Sequence, residues 1–494
     1  MLTDNRLLRC FCLALLTLGS CLGAAAQPMT LDEAIATARM RSVPALEARA
    51  AFVSDYWAWR AYQASRLPTL SLIGQLGNLN RSWQQSLHPD KAEYVYVRTN
   101  NLQNGLTLQA SQNIALTGGT LNLATSLYRT DELSNKKTNW NAVPVSFSYV
   151  QPLFAYNEYK WDKLISPKAY EKAKRVYMET MEDVTLSAVQ CFFGVMEAQK
   201  LYEVAQTNYD NSTRNLSIAR ERLALGSISR EDYLQLELDV LSDSLTISER
   251  GVSLREARMQ LNSLLGLDET REVETVLEES LPAVVMDYDL VLRKTAENSS
   301  FHLANDISLL EAESAVARAK ADRGIKLQLD AAFGLSAVAP EMRAAYTGTM
   351  DQEVVGLTFS IPILDWGRGR GRVKKAEAAA DAMRAKVEQA ENDKRISLFT
   401  AVGQFNNQRQ LCDVSRRASA IAQERYGLMI EKFRSGKATV LELNNARTES
   451  DGAIQKYVQD ISSFWRYYYT LRKLTLYDFL AGDDLTVNFE EMTQ

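Results

Sequence analysis

The chain has 494 residues, a formal net charge of −5 and 24% charged residues, so it lacks the strongly basic composition typical of nucleic-acid-binding proteins. Its only histidines are His88 and His302, which argues against histidine-based metal or catalytic-triad chemistry, and no cofactor is expected. Cys191 and Cys412 fall within helical patterns, where buried free thiols are expected. A chain of this length should form several packing units.

The first 26 residues are predicted to be a secretory signal peptide. Two arginines precede an apolar run at residues 11–22, and small residues provide a cleavage site after Ala26. The alternative is lipidation at Cys21, because the residues before it resemble a lipoprotein signal. No later apolar run is long enough for a transmembrane helix, so any membrane crossing must be made by strands.

Two helical patterns follow, and then four strand patterns. Thr30 and Glu33 have capping-box spacing, and helices are predicted over residues 31–66. Strands are predicted within residues 67–154, where polar and apolar residues alternate. The four strand patterns lie at residues 67–79, 106–112, 121–128 and 143–150, with long polar loops at 80–104 and 130–141 and a tight turn at Gly118.

Long helices dominate the rest of the first half. They are predicted over residues 168–265, with a break after Leu225 where Gly226 can end one helix. Strict heptad spacing in the first of them indicates coiled-coil packing. The seam positions are Val184, Ala188, Cys191, Val195, Ala198, Tyr202, Ala205 and Tyr209.

The second half repeats this order. Helices are predicted over residues 289–323, strands within 325–363, and long helices over 366–477, broken where Gly436 can end one helix and Thr439 can cap the next. A helix from about Val373 to Phe433 would be roughly 90 Å long, too long for an ordinary globular core.

Corresponding residues support a duplication. Pro152 and Pro362 lie 210 residues apart, as do Gly226 and Gly436. The first repeat is predicted at residues 27–288 and the second at 289–480, followed by a tail at 481–494. The first repeat has one extra hairpin, around Gly118. Because so few strands cannot close a barrel and open edges cannot face lipid, the strands must be shared between subunits.

In this order the chain resembles the TolC-like outer membrane efflux proteins. The similarity is carried by residues 31–35, 67–72, 151–154 and 361–367, together with the two glycines at the helix breaks. It implies an α+β membrane protein that forms a homotrimer. In that trimer, one shared transmembrane β-barrel in the outer membrane, surrounded by lipid, continues as a long α-helical barrel of coiled coils across the periplasm. Each chain contributes two tandem structural repeats.

The resemblance also implies a function. It predicts a passive exit duct, not an enzyme, that belongs to a tripartite efflux system or a type I secretion system. Its partners would be a periplasmic adaptor, also called a membrane fusion protein, and an inner-membrane RND or ABC transporter. The alternative from another class is a periplasmic coiled-coil scaffold without a pore.

Site residues carry over from the family at the two helix breaks. Leu225, Gly226, Ser227, Ser435, Gly436 and Lys437 match the adaptor-contacting tips, although the glycines can equally serve only to cap helices. Asp232 and Glu442 match acidic residues that line the periplasmic entrance, with interaction with the helix dipole as the ordinary alternative. Phe433 and Asn445 stand at entrance positions where the family typically has tyrosine and aspartate, so the side-chain contacts that hold the family's entrance shut do not carry over directly to this chain.

Residues 367–372 alternate glycine and arginine. They lack the Lys-Ser/Thr pair of a phosphate-binding P-loop. We interpret them as a flexible entry to the following helix, with basic side chains near the junction of barrel and helices.

Overall fold

The computed structural model describes residues 28–87, 93–276 and 281–493. The predicted signal peptide, the alternative lipidation site at Cys21 and His88 lie outside these residues. The chain forms two compact units. The helical unit consists of residues up to Ala51, Val176–Ser299 and Lys394–Phe489, and the strand unit of Phe52–Arg175, Ser300–Asp393 and the residues from Glu490 on.

The helices recur in two series of nearly equal length. The first has 11, 23, 67 and 36 residues, and the second has 11, 24, 67 and 36. None of the described helices has the apolar stretch that spanning a membrane requires. The helices are α1 (Leu31–Arg41), α2 (Val43–Ser65), α3 (Glu158–Ala224), α4 (Arg230–Leu265), α5 (Tyr288–Asn298), α6 (Ser300–Arg323), α7 (Arg368–Arg434) and α8 (Val440–Thr475).

Local signals set most helix ends. The predicted capping box is confirmed, because the Thr30 N–H donates to Glu33 Oε2 at 3.0 Å and the Glu33 N–H donates to Thr30 Oγ1 at 3.3 Å. The start predicted at residue 168 is wrong, since α3 begins at Glu158 and includes Pro167. A proline lacks one amide hydrogen and removes one helical bond, which the long helix tolerates.

Six strands form one antiparallel sheet in sequence order. Its open edges are the first and last strands. The strands are β1 (Thr69–Leu87), β2 (Tyr94–Ile114), β3 (Gly119–Glu132), β4 (Lys137–Leu153), β5 (Lys326–Ala339) and β6 (Met350–Ser360).

Two predicted loops are wrong. The strands continue through most of residues 80–104 and 130–141, where Leu87 pairs with Tyr94 and Glu132 with Lys137. These strand ends are rich in polar residues, so they show little of the alternation that identifies a strand in sequence. The predicted tight turn is confirmed, because Gly118 has φ +76° and the turn joins β2 to β3.

The two faces of the sheet differ in polarity. Side chains on one face bond to each other: Ser111 Oγ donates to Asn122 Oδ1 at 2.6 Å, and Thr107 Oγ1 lies 2.9 Å from Ser126 Oγ. The other face is apolar, with Leu123, Phe147 and Phe333 paired in one row across three strands. These three side chains are exposed. The sheet therefore presents a continuous apolar surface on one side only.

The helical unit has two separate apolar clusters. The larger, which we call the base cluster, includes the fully buried Phe192, Phe405 and Phe464. The smaller, which we call the tip cluster, consists of Ala219, Leu236, Ile430, Phe433, Val440 and Leu443. Of the predicted heptad seam, Val184, Ala188, Val195 and Ala205 are buried and the other positions are partly buried.

Between these clusters most of the buried side chains are polar, although Ala205, Ala446 and Ile454 are also buried there. On α3 and α7 these polar side chains recur at heptad spacing. The same row of heptad positions is therefore mainly apolar within the clusters and mainly polar between them. We call this set the polar seam: Asn208, Ser212 and Asn215 of α3, Asp243 of α4, Gln408, Ser415 and Ser419 of α7, and Ser450 of α8. Cys412 lies among them as a free thiol, as predicted, and burial raises its pKa to about 11.

Candidate functional site at the helix tips

Two similar turns join α3 to α4 and α7 to α8. Gly226 has φ +69° and Gly436 has φ +76°, the left-handed conformation that ends many helices. The next residue bonds back in each case: the Ser227 N–H donates to the Arg222 carbonyl at 2.9 Å, and the Lys437 N–H donates to the Lys432 carbonyl at 2.8 Å. Both glycines therefore cap helices, a role that is compatible with the predicted adaptor contact.

The capping role leaves the turns accessible. All six residues predicted to contact an adaptor are exposed: Leu225, Gly226, Ser227, Ser435, Gly436 and Lys437. Leu225 is the most apolar of them and is 82% exposed. The turns thus present one large apolar side chain and one cation on rigid, hydrogen-bonded backbone.

The two predicted entrance acids hydrogen-bond to the caps of the next helices. The Ser229 Oγ accepts from the Asp232 N–H at 3.0 Å and donates to Asp232 Oδ2 at 2.8 Å. The Thr439 N–H donates to Glu442 Oε2 at 2.8 Å, which completes a capping box. This bond holds the pKa of Glu442 below its usual value. Both carboxylates therefore stabilise helix starts and carry negative charge at the tips.

The other two predicted entrance residues differ in burial. Asn445 is exposed on α8. Phe433 is only 1% exposed and packs in the tip cluster. Any contribution of Phe433 to an entrance must therefore act through packing in this conformation.

Arg222 connects the two turns and was not identified from the sequence. Its Nη1 donates to the Phe433 carbonyl at 3.1 Å, and its guanidinium carbon lies 5.6 Å from the centre of the Phe433 ring. A Cβ added at Gly436 would lie 3.3 Å from Arg222 Nη2. Arg222 of α3 thus caps the end of α7 and lies closely against the second glycine.

A buried ion pair joins α4 to α8 next to the tip cluster. Arg447 donates to both carboxylate oxygens of Asp243, at 2.6 and 3.0 Å, and Ser212 Oγ donates to Asp243 Oδ2 at 2.6 Å. Asp243 is 2% exposed. A two-point pair of this kind is strong and directional.

Two further hydrogen bonds join the hairpin formed by α3 and α4 to the hairpin formed by α7 and α8. Asn444 Nδ2 donates to Asp239 Oδ2 at 3.0 Å, and Asn208 Nδ2 donates to Asp451 Oδ2 at 2.8 Å. Burial raises the pKa of Asp451, and burial also raises the pKa of the neighbouring Tyr426 to about 12. We call the Asp243–Arg447, Asp239–Asn444 and Asn208–Asp451 contacts the hairpin links.

One of these residues left a signal in the sequence. Asp243 follows the buried Leu236 by seven residues, so a charged residue occupies a heptad position that faces the core. Such a charge requires a buried partner, but nothing in the sequence indicates that the partner is Arg447, which lies far along the chain.

Comparison with known proteins agrees with this geometry. Residues 295–475 match the model of a family described as "Outer membrane efflux protein". This region is similar to the members of that family. The resemblance to outer membrane efflux proteins is therefore confirmed, and these are transport proteins and not enzymes. No curated protein matches the chain.

Several solved structures share the fold. The CmeC outer membrane channel of Campylobacter jejuni has a TM-score of 0.66 at 14% identity, covering 94% of this chain and 89% of that one. The outer-membrane channel OprN has a TM-score of 0.65 at 15% identity, covering 90% and 89%. The MtrE channel of Neisseria gonorrhoeae, in its open state, has a TM-score of 0.57 at 15% identity, covering 90% and 88%.

Proposed function

We propose that three copies of this chain form a passive exit duct in the outer membrane, which extends into the periplasm and exports substrates from a tripartite system. The observation that carries this proposal is the single sheet with one exposed apolar face, one hydrogen-bonded polar face and two open edges. A barrel that crosses a membrane needs an apolar outside and tolerates a polar lumen.

Pairing of β1 in one copy with β6 in the next would remove both edges. Six strands from each of three copies would close a barrel of 18 strands, with the extra hairpin around Gly118 part of its wall. The pairing of all six strands within one sheet supports this arrangement. An open edge would leave unpaired backbone groups in lipid, where each costs several kcal/mol.

Exposed heptad stripes on the helices support the same assembly. On α4 the stripe is Leu234, Leu238, Leu241, Leu245, Val252 and Met259, all exposed. On α7 it is Leu411, Val414, Ile421 and Leu428, also exposed. Such spacing is typical of coiled-coil seams. In the proposed trimer these stripes pack against neighbouring copies and close a helical barrel across the periplasm.

The proposed chain organisation is two tandem repeats after a signal peptide at residues 1–26. The first repeat is 27–288, the second is 289–480, and a tail follows at 481–494. The matching lengths of α3 and α7, and of α4 and α8, support this duplication.

The tips are proposed to dock a periplasmic adaptor that links the duct to an inner-membrane RND or ABC transporter. The exposed turns at Leu225–Ser227 and Ser435–Lys437 provide the contact surface. An efflux role follows the family description. A type I secretion role uses the same duct with a polypeptide as cargo.

The entrance is proposed to lie at the tips, with Asp232, Glu442 and Asn445 facing the passage and Phe433 supporting it from the tip cluster. The hairpin links would keep it closed. The tip cluster is small and is separated from the base cluster by the polar seam, so little apolar packing opposes a movement of the tips.

Planar-bilayer recording of the purified protein tests this function. We expect a trimer with low conductance, and higher conductance when the Asp243–Arg447 pair is removed by D243A and R447A together. Glu449 of α8 is exposed and pairs with Arg425 of the same hairpin, so R425A with E449A is the matched control and should leave conductance low. A monomer that is extracted without detergent and gives no conductance would favour the scaffold.

A further inference from the structure

A basic cavity of about 620 Å³ lies in the strand unit, where the last two strands meet their helices. Lys320 and Arg323 reach it from the end of α6, and Arg370 and Lys374 reach it from the start of α7. Four cationic side chains therefore converge from two helices that are far apart in sequence.

Acidic residues do not balance this charge. Glu377 is the only acidic residue that lines the cavity, and it pairs with both Lys320 at 3.3 Å and Lys374 at 3.0 Å. Among the residues that the structure describes, no ion pair involves Arg323 or Arg370. The cavity thus keeps two guanidinium groups available for an anion.

The nearby Asp365 is charged, but among the described residues it forms no ion pair with Arg323 or Arg370. Its carboxylate accepts hydrogen bonds from the Gly367 N–H at 2.9 Å and the Gly369 N–H at 2.7 Å. These bonds cap the start of α7 and hold the pKa of Asp365 below its usual value. Two more arginines, Arg368 and Arg372, add positive charge on the same helical turn.

The cavity also has apolar walls that continue the apolar face of the sheet. Ile325 and Ile361 line it, and each lies next to the end of a strand. They extend the rows formed by Leu327 and Leu329 on β5 and by Leu357 and Phe359 on β6, which pair with each other. Phe359 is 68% exposed, and the nearby Trp366 is 90% exposed. The basic cavity therefore opens where an exposed apolar surface ends.

This combination fits an amphiphile with an anionic head. We infer that the cavity binds the phosphate group of an acidic glycerophospholipid, with its acyl chains along the apolar face of β5 and β6. The inference rests on the proposed function, in which that face contacts the membrane and the helices lie on its periplasmic side. Arginine pairs readily with phosphate through two parallel bonds, and basic pockets at membrane boundaries bind such head groups.

The corresponding junction of the first two strands with their helices has a different character. A smaller cavity of about 360 Å³ there is lined by Arg66 and Lys163, together with Asp162 and two tyrosines. Its charge is partly balanced and it lacks the four converging cations. One strong lipid site is therefore expected per chain, or three per trimer.

Native mass spectrometry of the full-length protein in a neutral detergent tests this site. The protein is titrated with phosphatidylglycerol, phosphatidylcholine or inorganic phosphate. The test variant is R370Q with K374Q. The control is R384Q with K386Q, which removes the same charge from exposed positions further along α7. Wild type and control should bind up to three phosphatidylglycerol molecules in preference to phosphatidylcholine.

In the test variant we expect this preference to fall by about fivefold for each cation removed. Equal phosphatidylglycerol binding by test variant and control would overturn the site. So would competition by millimolar inorganic phosphate, because the ligand would then be a free anion. Conductance of the same samples separates the two proposals: a conducting trimer without lipid preference refutes the site alone, whereas a non-conducting monomer refutes the duct.

Discussion

At the scale of single residues, the two tip glycines have the same backbone conformation but different neighbours. A Cβ at Gly226 would meet nothing within 4 Å, whereas at Gly436 it would lie against Arg222. Both glycines have a φ that favours glycine, but only at the second would an added Cβ also press on a neighbouring side chain. The sequence showed the matching glycines but could not show this difference, because Arg222 comes from the other hairpin.

The G226A and G436A variants separate these two requirements. Each alanine in the left-handed conformation should destabilise its own turn by about 1 kcal/mol. G436A should lose more, because the added Cβ presses on the Arg222 guanidinium, which donates to the Phe433 carbonyl. Hydrogen exchange of the amides at each turn measures this loss. Equal loss of protection in the two variants would show that Arg222 does not hold the second turn.

Asp451 gives the tip region a defined pH dependence. Burial raises its pKa in the folded state, so the folded protein holds this proton more tightly than the unfolded chain does. The stability that protonated Asp451 gives the folded state is therefore fully present below the unfolded pKa, near 3.8. It is lost as pH rises through the higher folded pKa.

The D451N variant tests the predicted direction of this pH dependence. Protection of the α8 amides against hydrogen exchange, corrected for the intrinsic pH effect, should fall in wild type as pH rises from about 4, since Asp451 ionises beside Asp243. The fall should be smaller in D451N, which keeps a hydrogen-bonding partner for Asn208 but cannot ionise. An identical pH profile in both proteins would contradict the raised pKa.

At the scale of elements, the helix ends at the two tips were predicted well, whereas the start of α3 and the strand lengths were predicted poorly. The breaks at Gly226 and Gly436 match the observed helix ends closely, because glycine and the Ser229 and Thr439 caps act within a few residues. Strand ends depend on pairing with a neighbour, so the polar parts of β1 and β2 left no local pattern. The six strand candidates nevertheless correspond to the six strands of the main sheet.

The hairpin links escaped prediction for a related reason. Their partners are brought together by packing of two hairpins, and only the misplaced charge of Asp243 hinted at one of them. The sequence did predict that Glu442 and Asp232 would lie near helix starts. Their direct bonds to the caps then follow from short-range geometry.

The exposed stripe on α4 carries a prediction about assembly. L241E places a charge in a seam that the proposed trimer buries, where an unpaired charge is strongly unfavourable. Ser242 is also exposed but lies beside the stripe, so S242E is the control. Native mass spectrometry should show a large loss of trimer in L241E only. A trimer that persists in L241E would mean that this stripe does not contact a neighbouring copy.

At the scale of the whole molecule, the proposed trimer depends on how the two open sheet edges are satisfied. Within one chain, β1 and β6 each pair on one side only. The sequence predicted shared strands because it contained too few to close a barrel. It did not give the strand order, which places the first and last strands at the two edges.

Cysteine cross-linking between these edges tests whether neighbouring subunits share one barrel. In a background with Cys191 and Cys412 replaced, one cysteine is placed on β6 at Thr358 and a second is scanned along β1 from Ser71 to Gln75 in protein oxidised within the outer membrane. If subunits share the barrel, we expect a covalent trimer on denaturing gels for particular β1 positions, and none when either cysteine is present alone. A scan that yields only monomers, from samples whose folding is verified, would contradict a barrel shared between subunits.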